Sequence, residues 1–534
     1  MTTRRAILRA TASGWLLSQL GEPPKKLPGR IVGATHAVGH LLRSPDPLAE
    51  RRAGPRARCD VVVVGAGVAG LSAAWRLAPA ALDVRVLELE PFVGGTSTWG
   101  EDGVVQHPWG AHYLPAPNPE ARATVRLLEE MGVVTGWDPL GLPRLDGRVL
   151  CHAPEERLFY RGAWHPGLVP QAALERADLD ALSRFSSRVG ELTDKRGRDG
   201  RFAFQIPIAE SSRDPELLEL DRMSMADWMT REGFDAPFVR WYVRYATLDD
   251  FGGEPEDVSA WAGLHYFSSR KLHTPELEGS HFLVWPEGNG RLVKALLEGS
   301  RAQVTKGALV VSVEETKDGV AVHAVDAATG EHTTLEARAA VLAVPSFIAR
   351  RLAPSAAERL PERASSPWLV ANLHLTRPLD PEQHTWDSVL HGAEGLGYVD
   401  ASHQLTPPAE RTVVTYFRAF GQADVRASRQ HLLAATWESL ADAVLRDLRP
   451  AHPDLFSRLE RMDVVVWGHA MPRPRPGFLG ERPFEAEQTL SPRVAWAHTD
   501  VSGMALFEEA QRAGVRAAEL VAPRAGVELG PSWV

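Results

Sequence analysis

The chain has 534 residues, of which 44% are hydrophobic and 24% are charged, and its formal net charge is −9. This length predicts two or more domains, and the composition is that of a globular protein. The acidic balance argues against a nucleic-acid-binding scaffold, which needs a basic face, and no apolar run approaches the roughly 18 residues of a transmembrane segment.

Positive charge is concentrated at the N-terminus. Residues 1–58 carry eleven Lys or Arg and three acidic residues, a net charge of +8, so the rest of the chain carries −17. Arg4 and Arg5 precede a short apolar run, as in a twin-arginine export signal. We expect residues 1–21 to be such a signal and the protein to be periplasmic or otherwise exported; the alternative is a disordered basic arm on a cytoplasmic protein. Residues 22–58, rich in Pro, Arg and Gly, are expected to form a linker or a loosely docked extension.

The chain contains two cysteines, Cys59 and Cys151. Two are too few for a disulfide framework, and their spacing is not that of metal ligands, so no metal site is predicted. Both are expected to be small buried thiols, although a disulfide between them stays open for an exported protein.

A strand, a glycine turn and a helix follow one another from residue 59. Residues 59–64 end in four valines, an apolar and β-branched run that predicts a buried parallel strand, and residues 71–77 have helical spacing. Between them, Gly65 permits a tight turn, Gly67 lets the backbone approach a pyrophosphate, and Gly70 lets the helix pack closely on the strand. The helix N-terminus then faces the anion.

A second strand, residues 84–88, ends in an acid. Glu88 lies 21 residues beyond Gly67, where a carboxylate accepts hydrogen bonds from the adenosine ribose. Because a carboxylate would repel a 2′-phosphate, this residue disfavours NADP.

A second glycine pair makes the pattern more specific. Residues 86–95 read V-L-E-x-E-x-x-x-G-G, ending in Gly94 and Gly95. This unit resembles the extended fingerprint of two-domain FAD proteins, above all the flavin amine oxidase superfamily. Members of that superfamily usually follow the pair with Arg, whereas this chain has Thr96, so a phosphate contact is expected to be made differently.

The resemblance extends from residue 59 to about residue 521. Its further segments occur in the family's order: Gly110-Ala111-His112, a glycine turn at 282–292, a strand at 310–313, a hairpin strand at 319–322, a strand at 340–344, and a C-terminal strand and helix at 494–500 and 508–518. The resemblance implies that the last helix directs its N-terminus at the flavin, where its dipole stabilises negative charge.

The resemblance also implies the cofactor and its contacts. FAD is expected to be bound non-covalently, since no cysteine lies near the C-terminal segment to form a thioether. The residues expected to bind it are Gly65, Gly67, Ala69, Gly70, Glu88, Gly94, Gly95, Thr96, Gly110, Ala111, Val311, Asp500, Leu506 and Phe507.

Two features of amine oxidases are missing from the aligned positions. The lysine that these enzymes commonly place beside flavin N5 aligns with Asn372, and an aromatic residue before the last helix aligns with Leu506. The resemblance implies that Asn372, His112 and Trp109 lie beside the flavin ring, and they are the candidate catalytic residues.

The resemblance implies an α/β fold with a Rossmann-like FAD-binding domain, a parallel sheet discontinuous in sequence, and an inserted α+β substrate domain. The FAD-binding domain is expected at 59–115, 283–350 and 490–525, and the substrate domain at 116–282 and 351–489. Within the substrate domain, helices are predicted at 121–131, 174–192 and 429–448, and strands at 368–375 and 412–420.

The leading functional hypothesis is an amine-oxidase-like FAD-dependent oxidoreductase. It would transfer a hydride from a small organic substrate, an amine or a polyamine, to flavin N5, and O2 or another acceptor would reoxidise the flavin. The acidic body favours a cationic substrate. One alternative is a desaturase or dehydrogenase resembling phytoene desaturase or protoporphyrinogen oxidase; another is a non-catalytic flavin-binding partner protein.

Overall fold

The structure is a computed structural model that describes residues 27–34, 36–43, 54–101, 105–270, 282–380, 384–407, 409–480 and 488–534. Within these ranges no helix is both long and apolar enough to cross a bilayer. The predicted export signal, residues 1–21, lies outside the described residues.

The secondary structure mixes helices and strands along the whole chain. The α-helices are α1 (His36–Gly39), α2 (Val68–Leu77), α3 (Arg122–Glu130), α4 (Arg176–Asp194), α5 (Pro215–Leu218), α6 (Met225–Glu232), α7 (Pro237–Phe251), α8 (Ala260–Ser268), α9 (Gly290–Ser300), α10 (Ser346–Leu352), α11 (Val425–Ala434), α12 (Trp437–Leu448), α13 (Leu455–Arg458) and α14 (Phe507–Val521). The strands are β1 (Gly29–Val32), β2 (Arg56–Arg58), β3 (Val61–Val64), β4 (Val84–Glu88), β5 (Trp99–Gly100), β6 (His107–Pro108), β7 (Tyr113–Pro115), β8 (Val134–Trp137), β9 (Pro143–Leu145), β10 (Glu156–Tyr160), β11 (Ala163–Pro166), β12 (Phe282–Val284), β13 (Gln303–Lys306), β14 (Ala308–Glu315), β15 (Val320–Asp326), β16 (His332–Ala337), β17 (Ala339–Leu342), β18 (Ser365–Leu375), β19 (Asp387–Leu390), β20 (Gly397–Asp400), β21 (Thr412–Ala419), β22 (Leu459–Pro472), β23 (Thr489–Ser491) and β24 (Val494–Trp496).

A six-stranded sheet has the strand order β13-β4-β3-β17-β24-β23. Its pairings from β13 to β24 are parallel, and β23 is antiparallel at the edge. Strand β3 consists of four buried valines, because helix α2 contacts this central strand on one face and strand β16 of the four-stranded sheet contacts it on the other. The strands come from three separated parts of the chain, which confirms the predicted Rossmann-like sheet that is discontinuous in sequence.

Helix α2 begins at Val68, three residues before the start that its periodicity indicated. Gly67 is the N-cap residue, and its carbonyl oxygen accepts a hydrogen bond from the Leu71 N–H at 3.0 Å. The N-terminus of the helix therefore lies directly behind the glycine turn.

A four-stranded sheet, in the order β14-β15-β16-β2, packs beside the six-stranded sheet. Its hairpin of β14 and β15 contains the strands predicted at 310–313 and 319–322. Strand β2, which precedes the nucleotide-binding unit, pairs in parallel with β16.

An eight-stranded sheet has the order β1-β22-β18-β21-β20-β19-β10-β11. Strands β18 and β21 correspond to the strands predicted at 368–375 and 412–420, and α3 and α4 to the first two predicted helices. The helix predicted at 429–448 is instead two helices, α11 and α12. The break is at Thr436, whose side chain accepts a hydrogen bond from the Ser439 N–H and caps α12.

Both cysteines are free thiols. Cys151 is buried and Cys59 is half-buried. Burial raises the pKa of both, that of Cys59 to about 12, so neither is a reactive thiolate at neutral pH.

Two hydrophobic cores meet near the centre of the molecule. One contains the six-stranded and four-stranded sheets with helices α2, α9 and α14, and the other lies between one face of the eight-stranded sheet and helices α4 to α8. The candidate site lies where these two cores meet.

Candidate active site

The glycine turn after β3 leaves room for a ligand at one position only. Gly65 has φ +99°, and a Cβ atom there would overlap the carbonyl oxygen of Ala343. A Cβ at Gly70 would overlap the carbonyl oxygen of Gly65. At Gly67, in contrast, a Cβ would meet no heavy atom within 4 Å. Gly65 and Gly70 thus serve the packing of the turn, and Gly67 opens towards a ligand.

Glu88 at the end of β4 is held in place by the backbone. Its two carboxylate oxygens accept hydrogen bonds from the N–H groups of Ala66, at 2.6 Å, and Glu90, at 2.9 Å. Burial raises its pKa, although these bonds oppose the shift. Each oxygen keeps a second lone pair, so the carboxylate can still accept from ribose hydroxyls.

A cavity of about 790 Å³ opens in front of the glycine turn. The predicted residues that line it are Gly65, Gly67, Ala69, Glu88, Gly94, Gly95, Thr96, Gly110, Ala111, His112, Leu506 and Phe507. The predicted residues that do not line it are Gly70, Val311, Asp500, Trp109 and Asn372. The structure thus brings together residues from five separated segments, and FAD contact by each of them stays a prediction.

Val311 is displaced from the cavity by an irregularity in its strand. The pairing of β14 with β15 shifts register between Val310 and Ser312, which interrupts the regular alternation of side chains. Leu309 and Val310 line the cavity in its place.

Asp500 lies behind the cavity wall and is 1% exposed. Its Oδ2 accepts from the Ser346 N–H at 2.8 Å. His498 Nδ1 lies 3.2 Å from Oδ1 and pairs with it when the imidazole is protonated, whereas in the neutral imidazole it accepts a hydrogen bond from the Asp500 N–H. Burial opposes ionisation, but His498 and Ser346 outweigh it and hold the pKa of Asp500 below its usual range. When the imidazole is neutral, Oδ1 has no donor among the described residues, and such a buried carboxylate oxygen suits a ligand hydroxyl, such as one of the ribityl chain of a flavin.

The N-terminus of α14 faces the cavity through Leu506, Phe507 and Glu508. Both carboxyl oxygens of Glu508 are buried without a hydrogen-bond partner among the described residues, and burial raises its pKa to about 7. The open space at Gly67, the remaining lone pairs of Glu88 and the Oδ1 atom of Asp500 together fit FAD. Neither cysteine lines the cavity, so the flavin has no thioether partner.

His112 lines the cavity next to aromatic rings. Its Nδ1 lies 3.0 Å from the carbonyl oxygen of Gly110 and must donate to it, because a carbonyl only accepts. Its ring centroid lies 5.0 Å from that of Phe417. Burial lowers its pKa to about 4, so the imidazole is neutral at pH 7 and its Nε2 is an acceptor.

Trp109 contributes its backbone rather than its ring. Its carbonyl oxygen accepts from Trp467 Nε1 at 2.7 Å, while its indole packs against Phe92 and Gly100. Trp467 itself lines the cavity. A direct substrate contact by the Trp109 side chain is therefore not what this geometry favours.

Asn372 does not reach the cavity, because none of its surface is accessible. Its Oδ1 accepts from Thr415 Oγ1 at 2.8 Å. Trp368 and Val370, on the same face of β18, line the cavity instead. Asn372 thus lies on the same face of the strand as two cavity-lining residues, and its role in catalysis stays a prediction.

An acidic group was missed by the motif-based prediction. Asp249 and Asp250, at the end of α7, line the cavity with Arg270. Arg270 Nη2 donates to both oxygens of Asp250, at 3.1 and 3.2 Å, and lies 3.5 Å from the Tyr113 hydroxyl. Two adjacent acids near the end of a largely apolar helix were the available sequence signal.

Asp249 differs from its neighbour, since its carboxyl group has no hydrogen bond or ion pair among the described residues. Burial, and then the charge of Asp250, raise its pKa to about 8. Glu508 belongs to the same group, because Asp250 and Arg270 both influence its pKa. Three carboxyl groups thus face one guanidinium group.

The chain resembles known proteins along most of its length. A family model described as flavin containing amine oxidoreductase matches residues 68–522. The flavin-containing amine oxidase A of Canis lupus familiaris is 25% identical over 297 residues, 55% of this chain and 51% of the relative. The chain thus spans about half the length of the curated relatives it matches.

Solved structures of the same fold cover more of the chain. A mutant of putrescine oxidase with redesigned cofactor binding superimposes with a TM-score of 0.64 and 17% identity, covering 88% of this chain and 100% of that one. Cyclohexylamine oxidase from Brevibacterium oxydans superimposes with a TM-score of 0.61 and 19% identity, covering 88% of this chain and 99% of that one. At these identities the likeness shows the fold alone. Since the family model covers most of the sequence, the chain belongs to the flavin-containing amine oxidoreductase family, and its cofactor is FAD.

Proposed function

We propose that the protein is an FAD-dependent oxidase or dehydrogenase of amines, and that its substrates carry a second positive charge, as diamines and polyamines do. The observation that supports this best is the carboxyl group of Asp249, which faces the cavity without a partner among the described residues. When bound, FAD supplies the oxidising group by accepting a hydride from the substrate carbon.

The charge of the acidic group favours a cationic ligand. Arg270 makes two hydrogen bonds to Asp250 and none to Asp249 or Glu508, so one positive charge serves three carboxyl groups. Their raised pKa values express the cost of ionising carboxyl groups that are desolvated and close to one another. An ammonium group beside Asp249 would relieve this cost and lower its pKa.

The other walls of the cavity suit the carbon chain of such a substrate. Trp368, Val370, Phe417 and Trp467 present apolar surface and exclude water. His112 adds no positive charge beside them because it is neutral at pH 7. Its Nε2 would accept a hydrogen bond from the amino group that is oxidised.

The desaturase alternative rests on a different feature of the same cavity. No lysine is among the described residues that line it, whereas aromatic and aliphatic side chains are frequent. A long apolar substrate would pack against these side chains without contacting Asp249.

Anaerobic reduction of the flavin separates these functions. We expect a diamine to bleach the flavin absorbance faster than a monoamine of the same length, and peroxide release in air would identify O2 as the acceptor. Bleaching by a polyene and by no amine would contradict the proposal and favour the desaturase. Bleaching by no compound, including amino acids, would favour a non-catalytic flavin-binding partner protein.

We further propose that the protein is exported. The support is the paired Arg4 and Arg5 ahead of an apolar run. A fusion of residues 1–58 to a reporter should be exported, and replacement of both arginines by lysine should retain it in the cytoplasm.

A further inference from the structure

The N-terminal segment packs against the rim of the cofactor cavity. Strand β1 pairs in parallel with β22, Gly29 opposite Met462 and Val32 opposite Val465, and so anchors this segment at the edge of the eight-stranded sheet. Helix α1 and the 3₁₀ turn His40–Arg43 follow, and they line the cavity with His36, His40 and Arg43. Residues that precede the nucleotide-binding unit thus form part of its wall.

Contacts at both ends hold this segment across the cavity. Arg351 Nη1, on α10, donates to the Leu42 carbonyl oxygen at 3.0 Å, and Gly39 lies against Leu89, next to the ribose-accepting Glu88. On the substrate side, Arg43 and His40 lie near enough to His469 of β22 to influence its pKa. The segment therefore spans from the nucleotide end of the cavity to the eight-stranded sheet.

Arg43, Arg351 and Arg429 all line the cavity. Arg351 binds the carbonyl oxygen of Leu42, the neighbour of Arg43, and Arg43 is close enough to Arg429 to influence its pKa. Arg429 donates to the carbonyl oxygens of Gly468, at 2.7 Å, and Ser365, at 3.2 Å. Within the described part of the chain, none of the three is in an ion pair with a carboxylate. Like charges held together without a counterion raise the free energy of the empty cavity, and an anion would lower it.

The cofactor is the anion that this cavity receives. The diphosphate is the charged part of FAD, and the residue after the second glycine pair, Thr96, supplies no positive charge to it. We propose that Arg43, with Arg351 and Arg429, forms a cationic wall that holds the FAD diphosphate, so that the N-terminal segment is part of the cofactor site. This inference rests on FAD binding and not on the amine substrate.

Arg43 is the best residue for a test, because its side chain makes no hydrogen bond among the described residues that its replacement would remove. The readout is release of FAD from diluted holoenzyme, followed by the fluorescence of free flavin at low and high salt. For Arg43→Gln we expect a dissociation constant for FAD raised about three- to tenfold, as for loss of one charged contact, and a larger rise for Arg43→Glu. The salt dependence of release should weaken in Arg43→Gln, since one screened attraction is gone.

Arg524→Glu is the matched control for Arg43→Glu, because the two substitutions change the net charge by the same amount. Arg524 is exposed and lies outside the cavity lining. This control variant should release FAD as the wild type does, and all variants should keep the wild-type far-UV circular dichroism. Release of FAD from Arg43→Gln and Arg43→Glu at the wild-type rate and with the wild-type salt dependence would overturn the inference. Because no amine is used, this result is independent of the outcome of the substrate tests.

Discussion

Arg270 donates through a single nitrogen, Nη2, to both carboxylate oxygens of Asp250, at 3.1 and 3.2 Å. The pair is buried at the cavity wall, where a salt bridge contributes little net stability but is costly to break. Because Asp250 is compensated in this way, the adjacent Asp249 is the acid that remains for a ligand. This relationship underlies the first two predictions.

Replacing Asp249 by asparagine should weaken recognition of the distal ammonium group. We expect kcat/KM for a diamine to fall about 10- to 100-fold, the effect of removing one charged hydrogen bond, with little change for a monoamine of the same length. Steady-state kinetics with both substrates provide the measurement, and the monoamine is the internal control. Equal losses for the two substrates would contradict a role in binding the second charge.

The stability of the protein should depend on pH through Asp249. Its pKa is about 8 in the folded protein and 3.8 as the ordinary value, so between these values the folded state holds a proton that the unfolded state has lost. The free energy of unfolding therefore falls as pH rises through this window, by up to about 1.4 kcal/mol per pH unit for this one group. Above pH 8 the contribution is fully lost.

Urea denaturation at several pH values checks this sign. In Asp249→Asn the midpoint should decline less between about pH 5 and pH 7 than in the wild type. Asp235→Asn, on the exposed surface just before α7, should follow the wild type. A midpoint that rises with pH over this range in the wild type alone would show that the carboxyl group is ionised on folding.

Gly67 and Gly70 should respond differently to a side chain. Gly67→Leu places its side chain in open space and keeps an ordinary φ of −73°, so the apoprotein should fold and fail to bind FAD. Gly70→Ala would overlap the Gly65 carbonyl oxygen, so it should lower the stability of the apoprotein itself. Flavin absorbance and the melting temperature of the apoprotein distinguish the two effects. Retention of FAD by Gly67→Leu would mean that the backbone there does not approach the cofactor.

A lysine should act on the flavin from position 370 but not from position 372. In Val370→Lys the ammonium group would reach the cavity wall, so we expect the rates of flavin reduction and reoxidation to change. In Asn372→Lys the ammonium group would be fully buried and the hydrogen bond from Thr415 would be lost, which should lower the stability by about 3 kcal/mol. Stopped-flow absorbance and thermal melting separate the variants. A change of flavin rates without loss of stability in Asn372→Lys would restore Asn372 as a flavin contact.

Sequence comparison does not predict some parts of the site, because they depend on where along a strand the cavity lies. Asn372 and Val370 share one face of β18, so the period of two residues does not distinguish them. Only the position of the cavity along the strand decides which of them contacts a ligand. Val311 lies outside the cavity lining for a related reason, since a register shift between its neighbours leaves no mark in an apolar run.

The residue sequence by itself determined the nucleotide-binding unit of this protein. The buried valines of β3, the glycines at 65, 67 and 70, and Glu88 lie within one short stretch, where neighbouring residues restrict one another through local sterics and hydrogen bonds. The tertiary structure alone decided the rest of the cavity. Asp249, Arg270 and Arg43 come from elements far apart in the chain, and they line one cavity only because tertiary packing brings these elements together.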